Sequence, residues 1–144
     1  MRPDTRVEEK IGYLVKRLQQ QIRAALDARL AQHGVSMSTY AALAVLEHAP
    51  GLSNAELARR CFVTAQTMNA IVRDLGDAGV VERRRDPNHG RILQTQLTRR
   101  GRDLVGVCHA EVNAVHTQML ADLTATEQTQ FRDLLTRSID ALQA

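Results

Sequence analysis

The chain has 144 residues with a hydrophobic fraction of 44%, enough for one ordinary globular domain with a buried core. No apolar run approaches the roughly 20 residues needed to cross a bilayer, and no signal-peptide segment follows the N-terminus, so we expect a cytoplasmic protein without a membrane span. The formal net charge is +3, but residues 53–102 hold ten basic and five acidic residues, a net +5, whereas the remainder carries −2. Such segregation indicates a polyanion binder.

Aromatic residues are scarce: there is no Trp, and there are two Tyr and two Phe. Unpaired bases are usually held by stacking on aromatic rings, so this composition disfavours a reader of single strands. Double-stranded DNA is the better candidate partner.

The N-terminal segment predicts one long amphipathic helix from Thr5 to about Gln32, because apolar residues recur at threes and fours from Val7 to Ala25. Gly34 ends it. The stripe is longer than a small core can cover, so we expect it to pack against a distant helix or a second copy of the chain.

Two short helices follow. Ser36 or Ser38 can cap the first, which the Pro-Gly pair at 50–51 ends. The second begins at Ser53, where Ser53 and Glu56 have the spacing of a capping box.

The next predicted helix is capped by Thr64, runs to about Ala78 and ends at Gly79 in the left-handed conformation. One arc of this helix is apolar and holds Met68, Ile71, Val72 and Leu75. The opposite arc holds Gln66, Asn69, Ala70 and Arg73, with Thr67 at its flank. Amide side chains can pair with adenine and guanidinium with guanine, so residues 64–78 are a candidate recognition helix for the major groove. A solvated helix face is the alternative.

Turn residues at 86–90 between two β-compatible arms predict a hairpin, a wing of about residues 82–92. It presents Arg83, Arg84, Arg85, His89 and Arg91. These cations suit a phosphate backbone or a minor groove, although a basic patch without a partner is the alternative.

The C-terminal third predicts two more helices: a long one from Thr98 to about Leu123, and a last one opened by the capping box of Thr124 and Glu127. Neither has an obvious mate in the central segment, so we expect both to pair with the N-terminal helix. The predicted fold is mainly α with a small β wing. A winged helix-turn-helix domain at 36–98 is flanked by a helical dimerisation domain built from 1–35 and 99–144.

The sequence resembles the MarR family of winged helix-turn-helix regulators over nearly its whole length. The resemblance rests on Leu57-Ala58, Val63-Thr64, Leu75 with the segment 79–83, the wing string at 86–91, and the segment 97–101. It implies a homodimer whose recognition helices enter successive major grooves of a pseudopalindromic site, with wings in the flanking minor grooves.

The resemblance also implies specific DNA contacts. Arg91 corresponds to the wing arginine, and the recognition-helix contacts are Thr64, Gln66, Thr67, Asn69 and Arg73. The predicted DNA-binding set is completed by Ser53, Arg83, Arg84, Arg85 and His89. Many family members have Asp at the position of His89, and Arg at the position of Asp74.

A ligand-responsive repressor is the function that the resemblance implies, with a small aromatic or anionic effector between the dimer helices and the winged domain. Tyr13, Tyr40, His48 and His109 are the candidate lining residues. A buried aromatic or core histidine is the alternative role of each.

Other chemistry has little support. His109 and His116 are seven residues apart, which is not the spacing of a tetrahedral metal site, and Cys61 and Cys108 are interpreted as core thiols. No phosphate loop, nucleophile elbow or carboxylate pair indicates an enzyme, and no cofactor is predicted. A protein-binding adaptor that kept the fold without specific DNA binding is the alternative function.

Overall fold

Six α-helices and a two-stranded antiparallel sheet form the described part of the chain, which in this computed structural model is residues 6–88, 90 and 92–144, without the side chain of Glu8. After a 3-10 turn at Val7–Glu9, the elements are α1 Ile11–Ala31, α2 Met37–His48, α3 Asn54–Arg60, α4 Ala65–Asp77, β1 Val81–Arg85, β2 Leu93–Leu97, α5 Arg99–Met119 and α6 Ala125–Gln143. The predicted fold class, mainly α with a small β wing, is confirmed.

Side-chain caps set the start of every helix from α2 to α6. In each case a hydroxyl oxygen accepts the N–H of the residue three positions later, and the caps are Ser36, Ser53, Thr64, Thr98 and Thr124. Each such bond contributes about 1 kcal/mol. Thr124 and Glu127 form the complete predicted box, but α3 shows only the hydroxyl half, so the predicted box at Glu56 is wrong.

Two predicted helix ends are also wrong. Helix α1 begins at Ile11, because Lys10 has extended backbone and no side-chain cap bond; the predicted start, Thr5, lies outside the described residues. Helix α5 ends at Met119, and turn bonds carry the chain to Thr124, which must be extended to cap α6. Gly79 ends the segment after α4 with φ 72°, as predicted.

The main core lies between α2, α3, α4, the sheet and the first half of α5. Its fully buried side chains include Leu43, Leu57, Met68, Val72 and Val105. A smaller cluster of Leu30, Val35 and Cys108 joins the end of α1 to α5. Helix α5 therefore packs against α1, which confirms that predicted pairing, and also against α2, so the expectation that it has no obvious mate in the central segment is wrong.

Apolar side chains remain exposed on the first half of α1 and along α6. They are Ile11, Leu14 and Val15 on α1, and Leu134, Leu135, Ile139 and Leu142 on α6. None of the residues of α6, all of which the structure describes, is buried. The expected pairing of α6 with α1 inside one chain is therefore not formed. Every described helix is too short or too polar to cross a bilayer.

The first turn of α5 lies directly against the residue that precedes β1. The Thr98 N–H donates to the Val80 carbonyl at 3.0 Å, and the Thr98 hydroxyl donates to the Gly79 carbonyl at 2.6 Å. Gly101 is buried against the same Val80 carbonyl, where a Cβ atom would overlap the oxygen. Gly101 thus permits the close approach of α5 to the sheet.

We expect Gly101→Ala to destabilise the fold by about 1 to 3 kcal/mol or more, because the added methyl must displace backbone. Gly106→Ala on the same helix is the matched control: its Cβ meets no described atom within 4 Å. That substitution should stabilise by roughly 0.5 to 1 kcal/mol through helix propensity. Urea denaturation of both variants measures the difference, and equal midpoints would contradict the close contact.

Candidate DNA-binding surface

The recognition-helix candidate α4 has one buried and one exposed face, as predicted. Met68, Val72 and Leu75 are buried in the main core. On the other side Gln66, Thr67, Asn69 and Arg73 are exposed. The polar arc of α4 is therefore available to a partner.

Two of the predicted contact residues already have local partners. The Ser53 hydroxyl accepts the Glu56 N–H at 3.3 Å. The Thr64 hydroxyl accepts the Thr67 N–H at 3.1 Å and donates to the Thr67 hydroxyl at 2.9 Å. In this structure Ser53 and Thr64 position the starts of α3 and α4.

Asn69 is oriented by a residue that the sequence reasoning missed. The Asn54 side-chain amide donates to the Asn69 side-chain oxygen at 2.6 Å, across fifteen positions of sequence. The bond uses the Asn69 oxygen as acceptor, and Asn69 itself is exposed. Both residues are short and polar, and nothing in the local sequence pattern indicates the pairing.

The wing arginines are not equivalent. Three of them, Arg83, Arg84 and Arg85, lie exposed on β1. This strand pairs with β2 from Val81 opposite Leu97 to Arg85 opposite Leu93. Arg84 is held by the Glu82 carboxylate at 3.0 Å, whereas Arg83 and Arg85 form no ion pair within the described residues. His89 and Arg91, the predicted wing-tip cations, lie outside the described residues.

A backbone bridge between Leu52 and Thr95 ties β2 to the loop before α3. The Thr95 N–H donates to the Leu52 carbonyl at 3.0 Å, and the Gly51 N–H donates to the Thr95 carbonyl at 3.0 Å. Thr95 is fully buried. The bridge holds β2 beside α2 and α3, and an open groove between α4 and β1 is lined partly by Asn69, Arg73 and Arg83. The fold thus brings predicted helix and wing residues to one surface.

Two of the four effector candidates, Tyr40 and His109, share one hydrogen-bonded network. The Tyr40 hydroxyl lies 2.6 Å from His109 Nδ1, and His109 Nε2 lies 3.0 Å from Glu47 Oε1. Because the Glu47 carboxylate can only accept, the Nε2–H of His109 donates to it, and in the neutral ring Nδ1 then accepts the Tyr40 O–H. Burial, and after it the charges of Cys108 and Glu47, raises the pKa of Tyr40. His48 lies 3.7 Å from the same carboxylate, whereas Tyr13 lies on the exposed half of α1. The network joins α2 to α5, and the sequence reasoning missed Glu47.

A cavity of about 530 Å³ lies between α4, the first half of α5 and the loop after α1. Its apolar wall is formed by Val35, Ile71, Leu75, Val80, Leu104 and Val107. His33 and Arg100 contribute cationic or potentially cationic groups, and Asp74 and Asp103 contribute carboxylates. None of the four predicted effector residues lines this described cavity.

Both cysteines contact core residues. Cys108 is fully buried, and Cys61 is half-buried against the main core. Burial raises the pKa of both thiols, and the Glu111 charge raises that of Cys108 further, so neither is an activated thiolate. Over the described ranges, no group of three or more potential metal ligands comes together.

Comparison with known proteins gives the same architecture. The sequence profile of the MarR family matches residues 33–92. The HTH-type transcriptional repressor Rv2887 of Mycobacterium tuberculosis is 41% identical over 125 residues, 87% of this chain and 90% of that protein.

Two crystal structures of Rv2887 have a similar fold. The complex with DNA matches with a TM-score of 0.76 at 38% identity, covering 89% of this chain and 96% of that one. The complex with salicylic acid matches with a TM-score of 0.71 at 40% identity, covering 89% and 95%. Together with the helix-turn-helix and its wing, this similarity shows that the chain belongs to the MarR family of winged helix-turn-helix regulators.

Proposed function

We propose that this chain is a ligand-responsive transcriptional repressor that binds a pseudopalindromic duplex site as a homodimer. Helix α4 enters the major groove and the wing lies in the adjacent minor groove. The observation that carries the proposal is the shared surface of α4 and β1, where the Asn69 side-chain amide, Arg73 and Arg83 line one groove. As a transcriptional regulator, the protein would act on DNA in the cytoplasm.

The chemistry of this surface suits duplex DNA. Gln66 and Asn69 offer the donors and acceptors that distinguish base edges in the major groove, and Asn54 pre-orients Asn69. The exposed arginines attract phosphate, a sequence-independent contribution that depends on salt. The related Rv2887 has been crystallised with DNA, which supports the same partner here. A protein-binding adaptor would have no need for this combination.

The exposed apolar faces support a homodimer. Between the end of α5 and α6 lies an open groove of about 680 Å³, lined in part by Met119, Leu120, Phe131 and Leu135. The exposed apolar side chains of a second copy, such as Ile11 and Leu14 of α1, have the chemistry to fill it. We therefore assign dimerisation to residues 1–35 and 99–144 and DNA binding to residues 36–98. In such a dimer the two recognition helices face the two halves of one palindrome.

The cavity beside α4 supports effector control. An aromatic acid could place its ring against Leu104 and Val107 and its carboxylate near Arg100, which has no ion pair among the described residues. The occupant would touch α4 on one side and α5 on the other. A ligand shifts an equilibrium only by binding one state better. An effector that fits a wider spacing between α4 and α5 would therefore disfavour the DNA-bound state. The structure of Rv2887 with salicylic acid supports the ligand class. Tyr40, His48 and His109 would then act through α2 and α5 rather than by contact.

The DNA-binding role is tested by selection from a random duplex pool, which should enrich a palindrome. On the selected duplex, Arg73→Ala should weaken binding at least about tenfold. It should also lower the slope of log affinity against log salt by about two, because each protomer loses one charged contact. Fluorescence anisotropy at several salt concentrations measures both quantities.

Arg137→Ala is the matched control, since it removes the same charge from α6, where Arg137 forms only an exposed pair with Asp133. It should leave the slope unchanged. Equal slopes for wild type, Arg73→Ala and Arg137→Ala would contradict the assignment of α4, and a pool without enrichment would favour the adaptor.

The dimer is tested by Ile139→Glu, which places a charge on the exposed apolar face of α6. We expect a folded monomer of 16.0 kDa in sedimentation, because an unpaired buried charge is costly at an interface. Gln130→Glu introduces the same charge on the exposed opposite side of the helix and should remain dimeric. A wild-type protein that sediments as a stable monomer would rule out the assembly.

Effector control is tested by titrating salicylate into the protein–DNA complex. Salicylate should release DNA, and Arg100→Gln should require about tenfold more of it, since a charge-assisted contact is lost. Arg99→Gln is the control, because Arg99 does not line the cavity. If the Arg100 and Arg99 variants respond to salicylate equally, relative to their own affinities for DNA, the cavity is not the site.

A further inference from the structure

Phe62 occupies the turn between α3 and α4 in an unusual conformation. Its φ is 57°, and it is the only non-glycine with positive φ among the described residues. The Phe62 N–H donates to the Arg59 carbonyl at 3.3 Å, and the Val63 N–H donates to the Ala58 carbonyl at 3.1 Å. This is the paired bonding of a Schellman motif, in which glycine ordinarily takes the left-handed position.

Neither conformation nor packing accounts for a phenylalanine here. The left-handed region is unfavourable for a residue with a Cβ atom, and glycine would adopt it freely. The side chain is 94% exposed, so the ring contributes almost nothing to the core. A strained residue that its own fold does not need is a candidate for a contact with a partner.

The position of Phe62 identifies the partner. It lies two residues before Thr64, the cap of α4, and directly after the last turn of α3, where Arg59 and Arg60 are exposed. A recognition helix enters the major groove with its N-terminal residues. When α4 enters in this way, the segment just before its cap lies against the DNA strand that borders the major groove.

We propose that Phe62 is a DNA contact, with its ring packed on the apolar edge of the duplex where α4 enters the groove. The edge is either a thymine methyl group or a deoxyribose, and Arg59 and Arg60 bind the neighbouring phosphates. This inference rests on the proposed function. A protein partner is disfavoured because Phe62 lies in the chain between the exposed Arg59 and Arg60 and the exposed Gln66 and Thr67 of α4, a segment that matches a polyanion.

The test compares wild type, Phe62→Gly and Phe62→Tyr on the duplex selected from the random pool. Phe62→Gly keeps the turn and relieves its strain, so the melting temperature should equal or exceed that of wild type. DNA affinity should fall at least about tenfold, because each protomer of the homodimer loses one aromatic contact. Phe62→Tyr keeps the ring and should bind nearly as wild type does. Phe62→Asn, which also tolerates the left-handed region, provides a second variant without the ring.

Replacing thymine by deoxyuridine in the duplex distinguishes the two edges. If the ring contacts a methyl group, the replacement lowers the DNA affinity of wild type but not that of Phe62→Gly. If the ring contacts a sugar, the replacement changes neither affinity, and Phe62→Gly still binds more weakly than wild type. Wild-type affinity in both Phe62→Gly and Phe62→Asn, with the fold intact, would overturn the inference and leave the ring to a protein partner. If wild type itself binds no duplex, the proposed function fails instead.

Discussion

The contact between the Val80 carbonyl and the first turn of α5 is the constraint on which the other parts of the molecule depend. Val80 lies between Gly79, which turns the chain after α4, and β1. Its carbonyl accepts the Thr98 N–H, and Gly101 allows α5 to come close. The recognition helix α4, the wing and the long helix α5 therefore meet at Val80. None of them can move there without displacing the backbone of another.

From this point α5 connects the DNA-binding surface to the ends of the chain. Its middle is tied to α1 by the buried cluster of Leu30, Val35 and Cys108, and to α2 through His109, which bonds both Tyr40 and Glu47. The cavity beside α4 lies on the same helix, nearer its start. A ligand that separates α4 from α5 would therefore change how the recognition helix is held relative to the dimer helices, a coupling that requires no long pathway.

The proposed DNA surface combines residues that serve the fold with residues that do not. Thr64 and Ser53 cap helices and Asn54 orients Asn69, so these groups fix geometry. Arg73, Arg83 and Phe62 have no such role in the described structure. Phe62 even opposes the local preference for glycine. Departures from local rules are expected where a protein meets its partner, since there the partner and not the chain determines the best residue.

The sequence by itself determined the helices, four of their five side-chain caps and the polar arc of α4, while the α2 cap stayed open between Ser36 and Ser38. These features depend on residues three or four positions apart, such as Thr64 with Thr67 and Thr124 with Glu127, and such spacing can be seen in one dimension. Where a competing local constraint intervened, as at Lys10 and after Met119, the predicted ends were wrong.

Only the tertiary structure decided which of these groups meet. The Asn54–Asn69 bond spans fifteen positions, and the Glu47–His109 bond spans sixty-two, so neither appears in any local pattern. The cavity beside α4 likewise draws its walls from α4, α5 and the loop after α1, and the exposure of Phe62 is seen only in the folded chain. Such contacts depend on how packed helices approach one another, which depends on side-chain volumes and backbone clearance across the whole core, and periodicity in the sequence does not encode that distance.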